Sequence, residues 1–122
     1  MDERRLFGNQ GEALAADYLR SKGFRILERQ YTRPYGEIDL ICLDGDEVVF
    51  VEVKSRRTDH YGYPEDSVTP KKIKHLLRVI EQYLISSNLC ESHWRIDVIA
   101  IEFYHQPPRV THIKAIDVPE NY

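Results

Sequence analysis

Two neighbouring stretches of the sequence, Gly36-Glu37-Ile38-Asp39-Leu40-Ile41 and Phe50-Val51-Glu52-Val53-Lys54-Ser55-Arg56, interleave charged and apolar residues. Side chains alternate along a strand, so Glu37, Asp39, Ile41 and Leu43 are expected on one face of the first. Val48, Phe50, Glu52 and Lys54 are then expected on one face of the second. Between them lies Asp44-Gly45-Asp46, a strong hairpin signal. A turn through Gly45-Asp46 pairs Asp44 with Glu47, sets Asp39 directly opposite Glu52 and sets Glu37 opposite Lys54. A four-residue loop, Asp44–Glu47, gives the same register. A three-residue loop shifts it by one and sends Asp39 and Glu52 to opposite faces.

In the favoured register the two acidic Cβ atoms stand ~4.5–5.5 Å apart. Two unit charges about 4 Å apart repel by roughly 4 kcal/mol at an effective dielectric of 20. Such a pair must share a proton, find a cation or splay. Lys54 lies two residues beyond Glu52 on the same face and relieves part of the repulsion while leaving room for a metal ion. Hard cations such as Mg²⁺ or Mn²⁺ accept one or two carboxylates together with backbone oxygens, water and substrate phosphate. The Val53 carbonyl is the expected backbone ligand. Held there, the metal would polarise a scissile phosphate and activate water, with Lys54 orienting that water or stabilising the developing negative charge. This chemistry is phosphodiester hydrolysis. The competing structural account is a salt-bridge network, Glu37 or Glu52 with Lys54, on a wet sheet face. Val48 and Phe50 on the same face weigh against it, since they imply partial burial and buried acids need partners. Glu37 is expected to pair with Lys54 and not to hold metal.

The elements that must position these residues are readable in turn. Residues Glu3–Lys22 read as a helix closed by Gly23, with Phe7, Leu14, Ala15, Tyr18 and Leu19 on one broad face and Glu12 at its edge. Glu12, flanked by small residues, is expected near whatever that helix packs on, adding a carboxylate to the site. Strands are expected at Phe24–Tyr31, Gly36–Leu43 and Glu47–Ser55, with a turn over residues 32–36. Val48-Val49-Phe50-Val51 is apolar on both faces, as a central covered strand requires. Residues Thr58–Ser67 read as a loop. A second helix starts at Thr69 with Pro70 in its first position, carries Ile73, Leu76, Leu77, Ile80 and Leu84, and ends near residues 86–88. Trp94–Tyr104 reads as a long strand, Gln106-Pro107-Pro108 as a turn and Arg109–Val118 as a final edge strand. The order α-β-β-β-α-β-β implies an α/β fold, a mixed sheet with flanking helices. With no repeat or linker, residues 1–122 read as one domain.

A hydrophobic content of 42% over 122 residues supports a core of this size. No stretch approaches the ~18–20 apolar residues of a membrane helix, so no membrane partner is expected. The charged start has no signal-peptide core, and two cysteines without CxxC spacing suit free thiols in the cytoplasm. The five histidines fall into no zinc-ligand spacing and read as incidental. Net charge is −3, but residues 1–78 hold 14 basic and 14 acidic side chains, so the deficit lies wholly in the last 44 residues, with 3 basic and 6 acidic. Basic residues cluster at 20–33, 54–57 and 71–78, which permits a local phosphate-binding face without requiring one. Arg56 and Arg57, just beyond Lys54, are the best placed for substrate. Lys71, Lys72, Lys74 and Arg78 suit phosphate or a solvated helix face equally well. Tyr61 and Tyr63 are candidates to stack on a base or to cover the core. Asp97 reads as structural, paired with Arg95 or a neighbouring strand.

The motifs around Asp39 and Glu52-Val53-Lys54 resemble the signature of the PD-(D/E)XK, or restriction-endonuclease-like, superfamily. More narrowly the chain resembles the YraN-like family of small bacterial proteins. The shared features run from Gly8-Asn9-Gln10-Gly11-Glu12 to Arg95-Ile96-Asp97-Val98 and include Tyr61-Gly62-Tyr63-Pro64 and Lys71-Lys72. The resemblance implies a restriction-endonuclease-like mixed sheet whose site grips a divalent metal with the Asp and the Glu of E-x-K. It is also similar to archaeal Holliday-junction resolvases, which combine a helix-borne Glu with such motifs. Glu12, Asp39, Glu52 and Lys54 match that set, and Lys72 resembles an auxiliary helix lysine. Ile38 stands where the literal motif has proline. The implied function is a Mg²⁺- or Mn²⁺-dependent nuclease acting on nucleic acid, DNA (branched DNA included) ahead of RNA. The alternative is a nucleic-acid-binding module or interaction scaffold with little or no cleavage. Small nucleases of this fold pair into homodimers to address two strands, and analogy extends that expectation here.

Overall fold

The computed structural model describes residues 3–60 and 62–119, apart from the side chains of Glu3, Arg4 and Glu65. Helix α1 (Glu3–Ser21) precedes strands β1 (Arg25–Arg33), β2 (Gly36–Asp44) and β3 (Glu47–Arg56). A short 3₁₀ turn (Pro64–Ser67), helix α2 (Pro70–Ser86) and strands β4 (Trp94–Glu102) and β5 (Arg109–Ile113) follow. The strands form one sheet in the order β1-β2-β3-β4-β5. Neighbours are antiparallel except β3 and β4, which run parallel. Parallel neighbours need a crossover, and the segment carrying α2 provides it. The fold is the α/β architecture and order that the sequence pattern implies.

Local chemistry accounts for the element ends. Gly23, at φ +89, closes the turn after α1, and the Thr69 hydroxyl caps α2 by accepting the Lys72 N–H at 3.3 Å, with Pro70 next. Gly45, at φ +61, makes the two-residue turn between β2 and β3, and Asp44 pairs with Glu47 as expected. Three strand ends differ from expectation by two residues or more. β1 runs on to Arg33, because Thr32 and Arg33 pair with Glu37 and Gly36 and leave only Pro34-Tyr35 as the turn. β4 stops at Glu102. β5 stops at Ile113, since Ala115 has φ +53 and gives its N–H to the Asp97 carboxylate instead of a strand. The loop expected over 58–67 also contains the 3₁₀ turn.

The helices cover opposite faces of the sheet. α1 lays Ala15, Ala16 and Leu19 on Leu40, Val49, Val51, Ile99 and Ile101. α2 lays Ile73, Leu76, Val79 and Ile80 on Ile38, Ile41, Phe50 and Val98. Val48 to Val51 are therefore all buried, which explains their unbroken apolar run. Each such side chain contributes about 1.5–3 kcal/mol on burial. Among the described residues, no helix is long and apolar enough to cross a membrane.

Candidate active site

The site forms where β2 and β3 part. Their paired register ends at Leu40–Val51, one step short of Asp39 and Glu52. Beyond it the Asp39 carboxylate replaces a backbone partner: Oδ2 accepts the Val53 N–H at 2.8 Å. β2 also changes face here. Regular alternation would put Ile38 and Leu40 together, yet Ile38 feeds the α2 core and Leu40 the α1 core. Asp39 lies between them; the β1–β2 register passes over it and over Gln30, which has the left-handed φ of +51. The expectation that Asp39 simply shares a face with Ile41 and Leu43 is corrected accordingly. Asp39 instead sits at the crossing point, within electrostatic reach of Glu12 from α1 and of Glu52 and Lys54 from β3.

Asp39 and Glu52 feel each other across the parting strands, the Asp39 charge helping to raise the Glu52 pKa. Burial raises the Asp39 pKa above the usual carboxylate range, against the lowering effect of the Val53 N–H bond. Burial, with the Asp39 charge next, pushes Glu52 up to about 7. Glu52 therefore changes charge close to neutral pH, where a cation would compete with its proton.

Lys54 Nζ lies 3.5 Å from Glu52 Oε2, both side chains being mostly buried. The expected partner, Glu37, is exposed on the diverging end of β2 and pairs through its backbone with Thr32. The parting of the strands removes it from Lys54. Lys72 reaches in from the first turn of α2, and its contact with the Lys54 ammonium lowers its pKa, with Glu52 and Asp39 acting in the opposite direction. Two carboxylates thus face two lysines.

Glu12 is buried on α1, as its helix phase implies, at 8% exposure. Burial raises its pKa, and Gln30 Nε2 donates to its Oε2 at 3.3 Å. Gly11 makes the approach possible: a methyl group there would overlap the Ser55 hydroxyl and lie 3.1 Å from Ser55 Cβ. Among the described residues, no three His, Cys, Asp or Glu side chains gather closely enough to hold an ion by themselves. Glu12 stands off with Gln30. The side-chain oxygens that could take a hard cation here are those of Asp39 and Glu52, with backbone, water and substrate oxygens needed to complete the shell.

The remaining sequence candidates divide. The Arg56 guanidinium donates to the Gly62 carbonyl and so tethers the loop after β3. Arg57 lies over the Phe7 ring, 4.2 Å from its centre. Arg78 stacks on Tyr35 at 4.7 Å, away from the carboxylate pair. Tyr63 is 73% exposed and covers no core, and Tyr61 lies outside the described residues. Asp97 is structural, as expected: fully buried, it binds the Arg95 guanidinium, the Ala115 N–H and His112 Nε2. His112 is correspondingly not incidental, and its other ring nitrogen meets the Tyr18 hydroxyl at 3.2 Å. Gln30 and the Phe7–Arg57 contact had no sequence signal, because both depend on which elements pack together. Cys42 and Cys90 are both free thiols.

Residues 11–101 match the model of a family described as "Uncharacterised protein family UPF0102". The chain is 44% identical over 109 residues to a UPF0102 protein of Syntrophomonas wolfei, covering 89% of this chain and 95% of the relative. It is 46% identical over 106 residues to one from Clostridioides difficile, covering 87% and 91%. A UPF0102 protein of Anaeromyxobacter dehalogenans is 41% identical over 114 residues, with 93% and 85% covered.

Proposed function

The chain belongs to the uncharacterised protein family UPF0102, the YraN-like family its motifs resemble, and since that description assigns no activity we propose one from the site: a metal-dependent nuclease. Its substrate is nucleic acid, DNA (branched DNA included) ahead of RNA. The observation that carries this reading is the partly buried Asp39–Glu52 carboxylate pair with Lys54 3.5 Å from Glu52 at the parting of β2 and β3. Two neighbouring acids whose pKa values burial raises form a poor resting arrangement and a good cation site.

Asp39, Glu52 and the Val53 carbonyl would hold Mg²⁺ or Mn²⁺, which when bound supplies Lewis-acid polarisation of the phosphate and activation of water. Lys54 orients the attacking water and stabilises negative charge developing on the phosphoryl oxygens. Lys72, beside Lys54, adds positive charge on the α2 side. Glu12 supports the site from α1 through Gln30. Arg57, with Arg56 shaping the loop beside it, meets the substrate. Such a protein works in the cytoplasm on DNA, and a homodimer would present two sites to two strands.

The alternative, a nucleic-acid-binding module with little cleavage, is favoured by the separation of Glu12 from the other two acids. A calorimetric Mn²⁺ titration of the wild type beside Asp39→Ala, followed by cleavage of nicked, flapped and four-way DNA, decides between them. The nuclease reading expects metal binding and cleavage that are lost in the Asp39→Ala/Glu52→Ala double variant while its circular dichroism is unchanged. A double variant that still cleaves overturns it. So does a wild type that binds DNA but cleaves none of these forms with either metal.

A further inference from the structure

Beside the carboxylate pair three flat groups pack in succession, and the metal chemistry does not use them. Phe103 follows β4 and is anchored to the sheet end by its N–H, which donates to the Arg56 carbonyl at 2.9 Å. The Phe7 ring of α1 packs on Phe103, tilted by 52° with centroids 4.8 Å apart. The Arg57 guanidinium covers the Phe7 ring, 4.2 Å from its centre, and Arg57 itself is exposed. Phe7 and Ser55 also line two adjoining hollows. One, of about 360 Å³, contains Lys54 and Arg57; the other, of about 470 Å³, contains Glu12 and Asp39. Each is large enough for a small organic group.

We propose that the Arg57 guanidinium, seated on Phe7, is a stacking platform for an unpaired base, so that this site takes a single strand or a flapped or frayed end in preference to intact duplex. What then happens to the strand rests on the nuclease reading above; its capture does not. A guanidinium is planar, weakly hydrated and fixed here by the ring beneath it, so its outer face suits a nucleobase. Inside a duplex both faces of every base are already covered by neighbours, and only an unpaired or terminal base offers a free one. A base on Arg57 brings its sugar and phosphates to the hollow that holds Lys54, next to the one that holds Asp39.

Arg57 as a simple phosphate contact is the competing role, and the conservative substitution separates the two. Arg57→Lys keeps the charge and loses the plane. Affinity is measured by fluorescence anisotropy with a short labelled deoxyoligonucleotide, the same strand with abasic sites, and its duplex, each in Ca²⁺ and in EDTA. The wild type is expected to bind the intact strand at least about fivefold more tightly than the abasic strand or the duplex. Arg57→Lys is expected to lose that preference while keeping its affinity for the abasic strand. Retained base preference in Arg57→Lys, or equal wild-type affinity for strand and duplex, overturns the inference and leaves the nuclease reading standing. A wild type that binds none of the three in either condition overturns both.

Discussion

The Asp39 side chain completes the β2–β3 pairing that its own backbone abandons: its Oδ2 accepts the Val53 N–H at 2.8 Å, immediately beyond the last regular pair, Leu40–Val51. The residue best placed to hold metal is therefore also a strand-pairing group, and the two roles separate by substitution.

Asp39→Ala leaves the Val53 N–H without its acceptor and is expected to lower stability in EDTA by about 1–2 kcal/mol. Asp39→Asn keeps an oxygen acceptor and removes a buried charge, so urea unfolding should find it close to wild type. Both should fail to bind Mn²⁺. Equal losses of stability in the two variants would deny the strand-pairing role.

The Glu52 pKa, pushed to about 7 by burial and Asp39, gives metal binding a pH dependence. Because the folded value lies above the unfolded one, Glu52 contributes stability that is complete below about 4.5 and fades as pH rises to about 7. Metal needs the ionised form, so below pH 7 affinity should fall about tenfold per pH unit, with proton release on binding. Glu52→Gln should raise stability in EDTA at pH 8 by on the order of 1–3 kcal/mol. A titration showing no proton release at pH 6 would contradict this account.

Gly11 holds α1 against β3 with no room for a side chain. In an open helix, Gly to Ala stabilises by about 1 kcal/mol. Here Gly11→Ala is expected to destabilise by about 1–3 kcal/mol, because the methyl meets Ser55. Adding Ser55→Gly should recover part of that loss. A double-mutant cycle with no coupling between the two positions would show that α1 shifts freely instead.

Asp97 is a fully buried carboxylate with three bonding groups. Burial opposes its charge, but the bonds from His112, Arg95 and the Ala115 N–H outweigh burial and hold its pKa below the ordinary range. The stability it contributes is therefore present above the unfolded carboxylate pKa and is lost as pH falls through the lower folded value. Asp97→Ala removes the partner of the mostly buried Arg95 and should cost about 3–5 kcal/mol by thermal or urea unfolding. A loss below 1 kcal/mol would mean that Arg95 is satisfied by Asp44 and Glu47 alone.

The parts of the site readable in the sequence are those set by periodicity and by the turn. Gly45-Asp46 fixed the register that brings Asp39 toward Glu52, and helix phase put Glu12 on the buried side of α1. Thr69 and Pro70 announced the helix that delivers Lys72. What escaped reading is local departure from regularity. Alternation assumes an unbroken strand, so it could not anticipate the change of face at Asp39, the left-handed Gln30 or the loss of Glu37 as a partner for Lys54. The early end of β5 follows from Ala115 turning to Asp97, a contact between residues that only the assembled sheet brings together. The same holds for His112, which looks incidental until β5 lies beside β4.

The two acids ride on one hairpin, thirteen positions apart and joined by a two-residue turn. They therefore meet early when the chain folds, through a short loop closure, whereas the parallel β3–β4 pairing must wait for the crossover through α2. In the solvated hairpin their repulsion is only about 1 kcal/mol at 4 Å, and it grows to roughly 4 kcal/mol as the dielectric around them falls. Proton or cation uptake accordingly belongs to the late step, in which the helices dock and water leaves the site. The rate of that step should respond to pH and divalent cations, while hairpin closure should not.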